Sequence, residues 1–325
     1  MQFNKKILTA CILAAASSSL LGGVLWFSLA RMQFFIILLF GLSVSLPILI
    51  VTFGYGTHAS IFSAALATIF LLFILLPVTA LLIAVFFFAP SVFTGWLMGL
   101  AQNGRKNTIF WYPFSQIVFL LALAVISATI IIMLYLLSSA DTIQYLNGFF
   151  DRFIMTVREN NLYPESDQAL FEKAMRIHFI PSIASVLAGY GSLFQLGNLY
   201  FSTRLAKKLG HMNRPLDNWP SALRMPLAAL VTFGISGLVI LFSINETITI
   251  CANIIISALG VCFFASGLAF IHYIIQNHAW RAAVLTVIYI GLFTLVFTLF
   301  FVMALILAGL FATFLPLCHS SRSSI

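Results

Sequence analysis

Three polar side chains stand where an apolar chain would least be expected to place them: Gln195, Asn198 and His272. Gln195 and Asn198 belong to a run comprising Pro181, Ala184, Ala188, Gly191, Gln195, Asn198 and Ser202, spaced by alternating steps of three and four. That spacing puts all of them on one face of a helix, and none is a large apolar residue. The opposite side carries Ile183, Val186, Leu193, Leu196 and Tyr200, a face suited to lipid. A second run, Ala258, Cys262, Ala265, Ala269, His272 and Gln276, repeats the pattern, with Asn253, Ser257, Gly260 and Gly267 on an adjoining face. Two chemistries fit. Small residues let helices approach closely, while amide and imidazole groups hydrogen-bond across the contact. Alternatively, Gln195, Asn198 and His272 face a polar cavity that takes a small molecule, the substrate-binding reading of these residues.

Catalytic patterns are scarce. Gly234-Ile235-Ser236-Gly237 has the GxSG form of rhomboid proteases, and His272 lies one apolar segment later. Ser236 falls near the middle of its helix and His272 near the end of the next, a depth gap of about 10 Å. A Ser–His pair needs hydrogen-bond reach of about 3 Å, so the motif is read as chance. There is no Walker A loop, no HExxH and no carboxylate pair within an apolar run, so neither enzyme, metal nor cofactor is expected. Cys11, Cys251, Cys262 and Cys318 lack CxxC spacing and sit in or beside apolar segments, as buried thiols do.

The elements that position these residues follow from composition. Of 325 residues, 62% are hydrophobic and only 7% charged, against about 25% charged in a soluble domain. Too little polar surface remains for a water-soluble enzyme, a disordered chain or a nucleic-acid binder, despite the net charge of +8. The class is an all-α polytopic transmembrane helix bundle whose environment is the lipid bilayer. A span needs roughly 20 apolar residues. Such runs cover residues 7–30, 33–53, 115–138, 180–201, 226–245 and 248–275. Residues 59–101 contain no charge and are about twice the length of one span, so they divide near Pro77. The run 282–317 is long for one helix and short for two; two with a turn near Phe300 give ten spans, one gives nine. Lys5 and Lys6 before the first run, with Ala14–Ser17, mimic a signal peptide, but the apolar stretch continues past any cleavage site, so a retained helix is expected.

Basic residues orient the bundle. With the N-terminus in the cytoplasm and ten spans, Lys5, Lys6, Arg105, Lys106, Arg204, Lys207, Lys208, Arg214, Arg224, Arg281 and Arg322 lie inside. Arg31, Arg152, Arg158, Lys173 and Arg176 lie outside, and the asymmetry obeys the positive-inside rule. No Lys or Arg falls in mid-span, which argues against a voltage sensor or charge-paired pump. Three parts result: a five-helix membrane half over 1–138, an external amphipathic helical hairpin over 139–178, and a membrane half over 179–325. In the hairpin, Ile143, Leu146, Phe149, Phe150, Phe153, Ile154 and Val157 recur at helical steps, and Ser166 can cap a second arm bearing Leu170, Phe171 and Met175. The last part holds the basic cytoplasmic loop 202–225, either an anchor facing anionic lipid or a docking site for a cytoplasmic or membrane partner subunit.

The chain resembles the YybS-like predicted membrane proteins of bacteria, catalogued as domain of unknown function 2232, and is closest to their proteobacterial members. The resemblance rests on Gly54-Tyr55-Gly56 before the uncharged double span and on Trp111-Tyr112-Pro113 before the fifth helix. It rests also on Asn198-Leu199 before Arg204, on Arg214-Pro215, Trp219-Pro220 and Leu223-Arg224, and on His272. It implies a multi-pass protein of the bacterial inner membrane and no particular activity. The N-terminal half looks loosely like the substrate-binding subunits of energy-coupling-factor vitamin transporters, whose Ala-rich docking face is echoed by Ala10 and Ala14. The leading expectation is therefore a small-molecule permease or substrate-capture subunit. The alternative is a non-catalytic scaffold or regulatory protein of the cell envelope.

Overall fold

The computed structural model describes residues 4–31, 33–104, 108–159, 165–243, 245–294 and 297–315. Apart from one short ribbon, it is helical. The first long helix, α1 (Lys5–Ala30), buries a face of small residues, among them Cys11, Ala14, Ala15, Ser18 and Ser19, and turns Leu13, Leu20 and Phe27 outward. Outward apolar side chains, up to 85% exposed at Phe73 and 89% at Phe293, are the expected coat of a bundle solvated by lipid.

The second apolar run is not one rod. It forms α2 (Phe34–Gly41) and α3 (Leu46–Tyr55), separated by a corner over residues 42–45. Pro47 in the first turn of α3 favours the interruption because proline has no N–H for the preceding turn. Gly56, at φ +85°, then reverses the chain into α4 (Thr57–Ile74), a backbone state that costs a residue with Cβ. The break before α5 (Pro77–Ile83) falls at Leu75 and Leu76, where the uncharged run is expected to divide. The chain then widens into one π-helical turn, Ala84–Phe88, before α6 (Ala89–Gly99).

A two-stranded antiparallel ribbon, β1 (Ala101–Asn103) with β2 (Ile109–Trp111), pairs Gln102 with Phe110; Arg105 and Lys106 lie outside the described residues. Pro113 caps α7 (Phe114–Ser138), and α8 (Ala140–Glu159) follows after Ser139. The next helix, α9, runs unbroken from Glu165 to Lys208 through Pro181. At 1.5 Å per residue its 44 residues reach about 66 Å, twice a hydrocarbon core. The second arm of the expected hairpin is thus the projecting end of a span, with no backbone break near residue 178. Arg176 fastens this end to α8 by an ion pair with Asp151 at 2.9 Å and by lying 4.7 Å from the Phe150 ring centre. Ser166 and its capping role lie among side chains outside the described set.

After a loop holding the single turn α10 (Trp219–Ala222), the chain returns through α11 (Leu227–Phe242) and α12 (Glu246–Ile274). Asn245 starts α12 by accepting the Ile248 N–H at 3.2 Å. The last run is two helices, α13 (Arg281–Phe293) and α14 (Thr298–Ala312). The first of them ends at Phe293 and the second begins at Thr298, ahead of the expected turn at Phe300, and Thr298 Oγ1 donates to the Leu292 and Thr294 carbonyls at 3.1 and 2.9 Å. A Cβ on Gly267 would strike the Leu305 carbonyl, and one on Gly309 the Phe263 carbonyl, so α12 and α14 are antiparallel and in backbone contact. Extending that register puts Thr298 level with Ile274. Helix α13 therefore starts and ends at one end of the bundle, a geometry that favours nine crossings over ten. Among the described residues seven helical segments are long and apolar enough to cross a membrane; α11, α13 and α14 are shorter.

Candidate functional site: an amide node between interrupted helices

The expected polar face of α9 is buried along its whole length. Pro181, Ala184, Ala188, Gly191, Gln195, Asn198 and Ser202 are all inside. Val186 faces outward at 56% exposed, but Leu196, expected on the lipid side, is 5% exposed and joins the core with Ile117, Val118 and Leu121. The bundle wraps α9 more fully than a two-sided helix requires.

Asn198 sits opposite the α2–α3 corner. In an unbroken helix the Ser45 N–H would bond to the Gly41 carbonyl. Instead, Asn198 Nδ2 donates to the Gly41 oxygen at 2.9 Å, and Asn198 Oδ1 accepts the Ser45 N–H at 3.2 Å. The side-chain amide has inserted itself into the missing rung. Its second N–H goes to the Phe194 carbonyl at 2.8 Å, so both donors are used. Close approach makes this possible: Gly197 leaves room for Leu42, and Gly41 leaves room for the Phe194 ring.

Gln195, one turn earlier, serves the π-helical turn. Pro90 has no N–H, so the Phe86 carbonyl lacks its partner four residues on. Gln195 Nε2 donates to the Phe86 and Phe87 carbonyls at 3.3 and 2.9 Å. Ser91 Oγ lies within hydrogen-bond reach of both Gln195 Oε1, at 2.9 Å, and the Phe87 carbonyl, at 2.8 Å. Ser45 links the two amides, its N–H on Asn198 and its hydroxyl 3.1 Å from the Phe87 oxygen. Gln195 is 1% exposed, while Asn198, Ser45 and Ser91 are fully buried. In hydrocarbon an unpaired backbone group is costly, so these side chains make two interrupted spans tolerable.

His272 does not join the node. Ser257 Oγ donates to the Ser185 carbonyl at 2.6 Å, which aligns α9 and α12 as parallel neighbours and sets His272 level with Tyr200. The imidazole lies within a turn of Asn198 in depth but turns to α13, its Nε2 at 3.0 Å from the Tyr289 hydroxyl. Ser236 is bonded to its own helix through the Thr232 carbonyl at 2.9 Å. Among the described residues no cluster of His, Cys, Asp or Glu could hold a metal. Cys11 and Cys262 are buried, Cys251 is half-buried, and Cys318 lies outside the described residues. Ala14 packs with Cys11, Val51 and Ala59, and Ala10 lies against the same cluster.

The basic loop is ordered around aromatic rings. Arg204 stacks 3.6 Å from the Tyr200 ring centre, and Tyr200 meets Trp219 edge-on at 5.0 Å. Arg214 grips Asp217 through two contacts, at 3.0 and 3.1 Å. Arg224 lies 5.2 Å from the Phe270 ring centre and 5.5 Å from that of Tyr273. Burial pulls its guanidinium below the ordinary arginine value, opposed by Tyr273. Ser45, Ser91 and the two interruptions are absent from the sequence-level site. Their available signals were Ser43-Val44-Ser45-Leu46-Pro47 and Pro90-Ser91, prolines beside serines inside otherwise apolar runs.

No curated protein and no solved structure matches the chain. One family does: its sequence pattern covers residues 24–311, which include both interruptions, the whole of α9 and α12 and nearly all of α14. On that extent of match, the chain belongs to the family described as predicted membrane protein DUF2232.

Proposed function

We propose that this membrane protein is a small-molecule permease or substrate-capture subunit, and that the structure is its closed form. The observation supporting the reading is the meeting of two interrupted spans at the buried amides Gln195 and Asn198. Helix interruptions within a bundle surrender backbone hydrogen bonds, and in transporters such breaks gather at the substrate site near mid-membrane. Single π-helical turns are likewise common at functional sites. On opening, the polar groups of a ligand would take the places now held by the Gly41, Ser45 and Phe86 backbone. The protein carries out no bond-breaking chemistry in this reading. It resides in the bacterial inner membrane with a cytoplasmic N-terminus, as a proteobacterial YybS-like member of its family. The 202–225 loop is where a partner subunit would dock.

The test needs no knowledge of the substrate. Ser91→Cys in a chain lacking Cys11, Cys251, Cys262 and Cys318 is treated with a small maleimide in native membranes. A permease exposes the node to water in some state, so the introduced thiol is modified before denaturation. Modification only after denaturation contradicts the reading. A scaffold is the second reading, favoured by one specific observation: both amide groups already spend their donors within the protein.

A further inference from the structure

We propose that a groove between the α2–α3 corner and the last turns of α9 holds an acyl chain of an anionic phospholipid, its phosphate between Arg204 and Lys208. The groove encloses about 520 Å³. Leu42, Leu46, Phe201 and Leu205 form its walls, and Arg204 and Lys208 line it at the basic end of α9. Ser43 also lines it, but its hydroxyl is committed to the Leu39 carbonyl at 2.9 Å and offers no donor to a ligand. The occupant's body must therefore be apolar and its end anionic.

Length agrees with that chemistry. On α9 the lining runs from Phe201 to Lys208, a rise of about 10 Å along the axis, roughly a third of a hydrocarbon core. The groove thus takes the part of an acyl chain nearest its headgroup and ends at the basic residues. The cations are free for an external anion. Among the described residues neither Arg204 nor Lys208 is in an ion pair, and the nearby acid Asp217 is held by Arg214. Stacking on Tyr200 fixes the Arg204 guanidinium at the groove, so little freedom is lost on binding a phosphate. Basic side chains just beyond a span are the ordinary means of holding anionic headgroups. The adjacent Lys207 does not line the groove and serves as an internal control.

The proposal stands apart from the permease reading, since it requires neither transport nor opening of the amide node. Purified full-length protein in detergent is titrated with phosphatidylglycerol or phosphatidylcholine and followed by native mass spectrometry. The expected result is a discrete phosphatidylglycerol adduct at tenfold or more lower lipid concentration than phosphatidylcholine. The exposed pair Arg204→Gln with Lys208→Gln removes that preference, Lys207→Gln keeps it, and glycerol 1-phosphate does not displace the lipid. Leu205→Phe, which narrows the apolar wall away from the amide node, lowers retention of both lipids at unchanged helicity. A phosphatidylglycerol preference undiminished in the paired variant overturns the proposal. So does an equal loss in Lys207→Gln, which marks unspecific surface charge, or displacement by glycerol 1-phosphate, which marks a site for a free phosphate.

Discussion

The two membrane halves hold their helices together by opposite means. In the N-terminal half, α2–α3 and the π-helical turn break their own hydrogen-bond ladders, and side-chain amides of α9 repair them. In the C-terminal half, α12 and α14 keep intact ladders and touch backbone to backbone at Gly267 and Gly309. Lipid supplies no hydrophobic drive for helix association, so either polar bonds or close packing must do it. A glycine contact is stable and has one arrangement. An amide repairing a broken rung has exchangeable partners. The contrast assigns rigidity to the α12–α14 pair and capacity for change to the node on α9.

Substitutions should separate these halves, read as unfolding free energy in mixed detergent with SDS. The largest effect is expected from Asn198→Leu, which leaves the Gly41 carbonyl and Ser45 N–H buried without partners. At about 1–3 kcal/mol for each orphaned group, the loss is about 2–6 kcal/mol. Protease protection should fall around residues 34–55 before it falls around α12 and α14. Next comes Gly267→Val, which must push α14 away; overpacking costs about 1–3 kcal/mol. Here the order of protection reverses, with α14 freed first. Gln195→Leu should cost about 1–3 kcal/mol, since Ser91 and Ser45 still reach the Phe87 carbonyl and only the Phe86 carbonyl is left bare. The smallest effect is His272→Phe, which removes one half-exposed bond to Tyr289 and is expected to cost about 0.6 kcal/mol. A loss for His272→Phe as large as that for Asn198→Leu would erase the distinction between node and periphery.

Much of this architecture was legible in the residues. The step of three and four from Pro181 to Ser202 marked a face that is buried at every position. Pro77 marked a break, and Gly54-Tyr55-Gly56 marked a reversal, because both have local backbone causes. The node was only half legible. Gln195 and Asn198 stood out as polar residues in an apolar helix, but apart from the Ser91 hydroxyl their partners are main-chain carbonyls and an N–H, groups that nearly every sequence position possesses. Which carbonyl is orphaned depends on where a neighbouring helix bends. Pro90 announces that locally, whereas the corner at 42–45 depends on the approach of α9 at Gly41 and Gly197. The reach of α9 beyond the bundle was hidden for another reason. The charges within residues 165–178 read as the helical second arm of a separate external hairpin, while in the structure the same helix continues through them and through Pro181.

The central claim, that the Asn198 side chain replaces the backbone rung between Gly41 and Ser45, is open to one direct measurement. Solid-state NMR dipolar recoupling in lipid bilayers can read the distance from the Ser45 backbone 15N to the Asn198 13Cγ. The N···Oδ1 separation of 3.2 Å places that distance at about 4 Å. A dephasing curve fitting about 4 Å supports the account. Absence of coupling at that range, with the Ser45 N–H bonded instead to the Gly41 carbonyl, would contradict it.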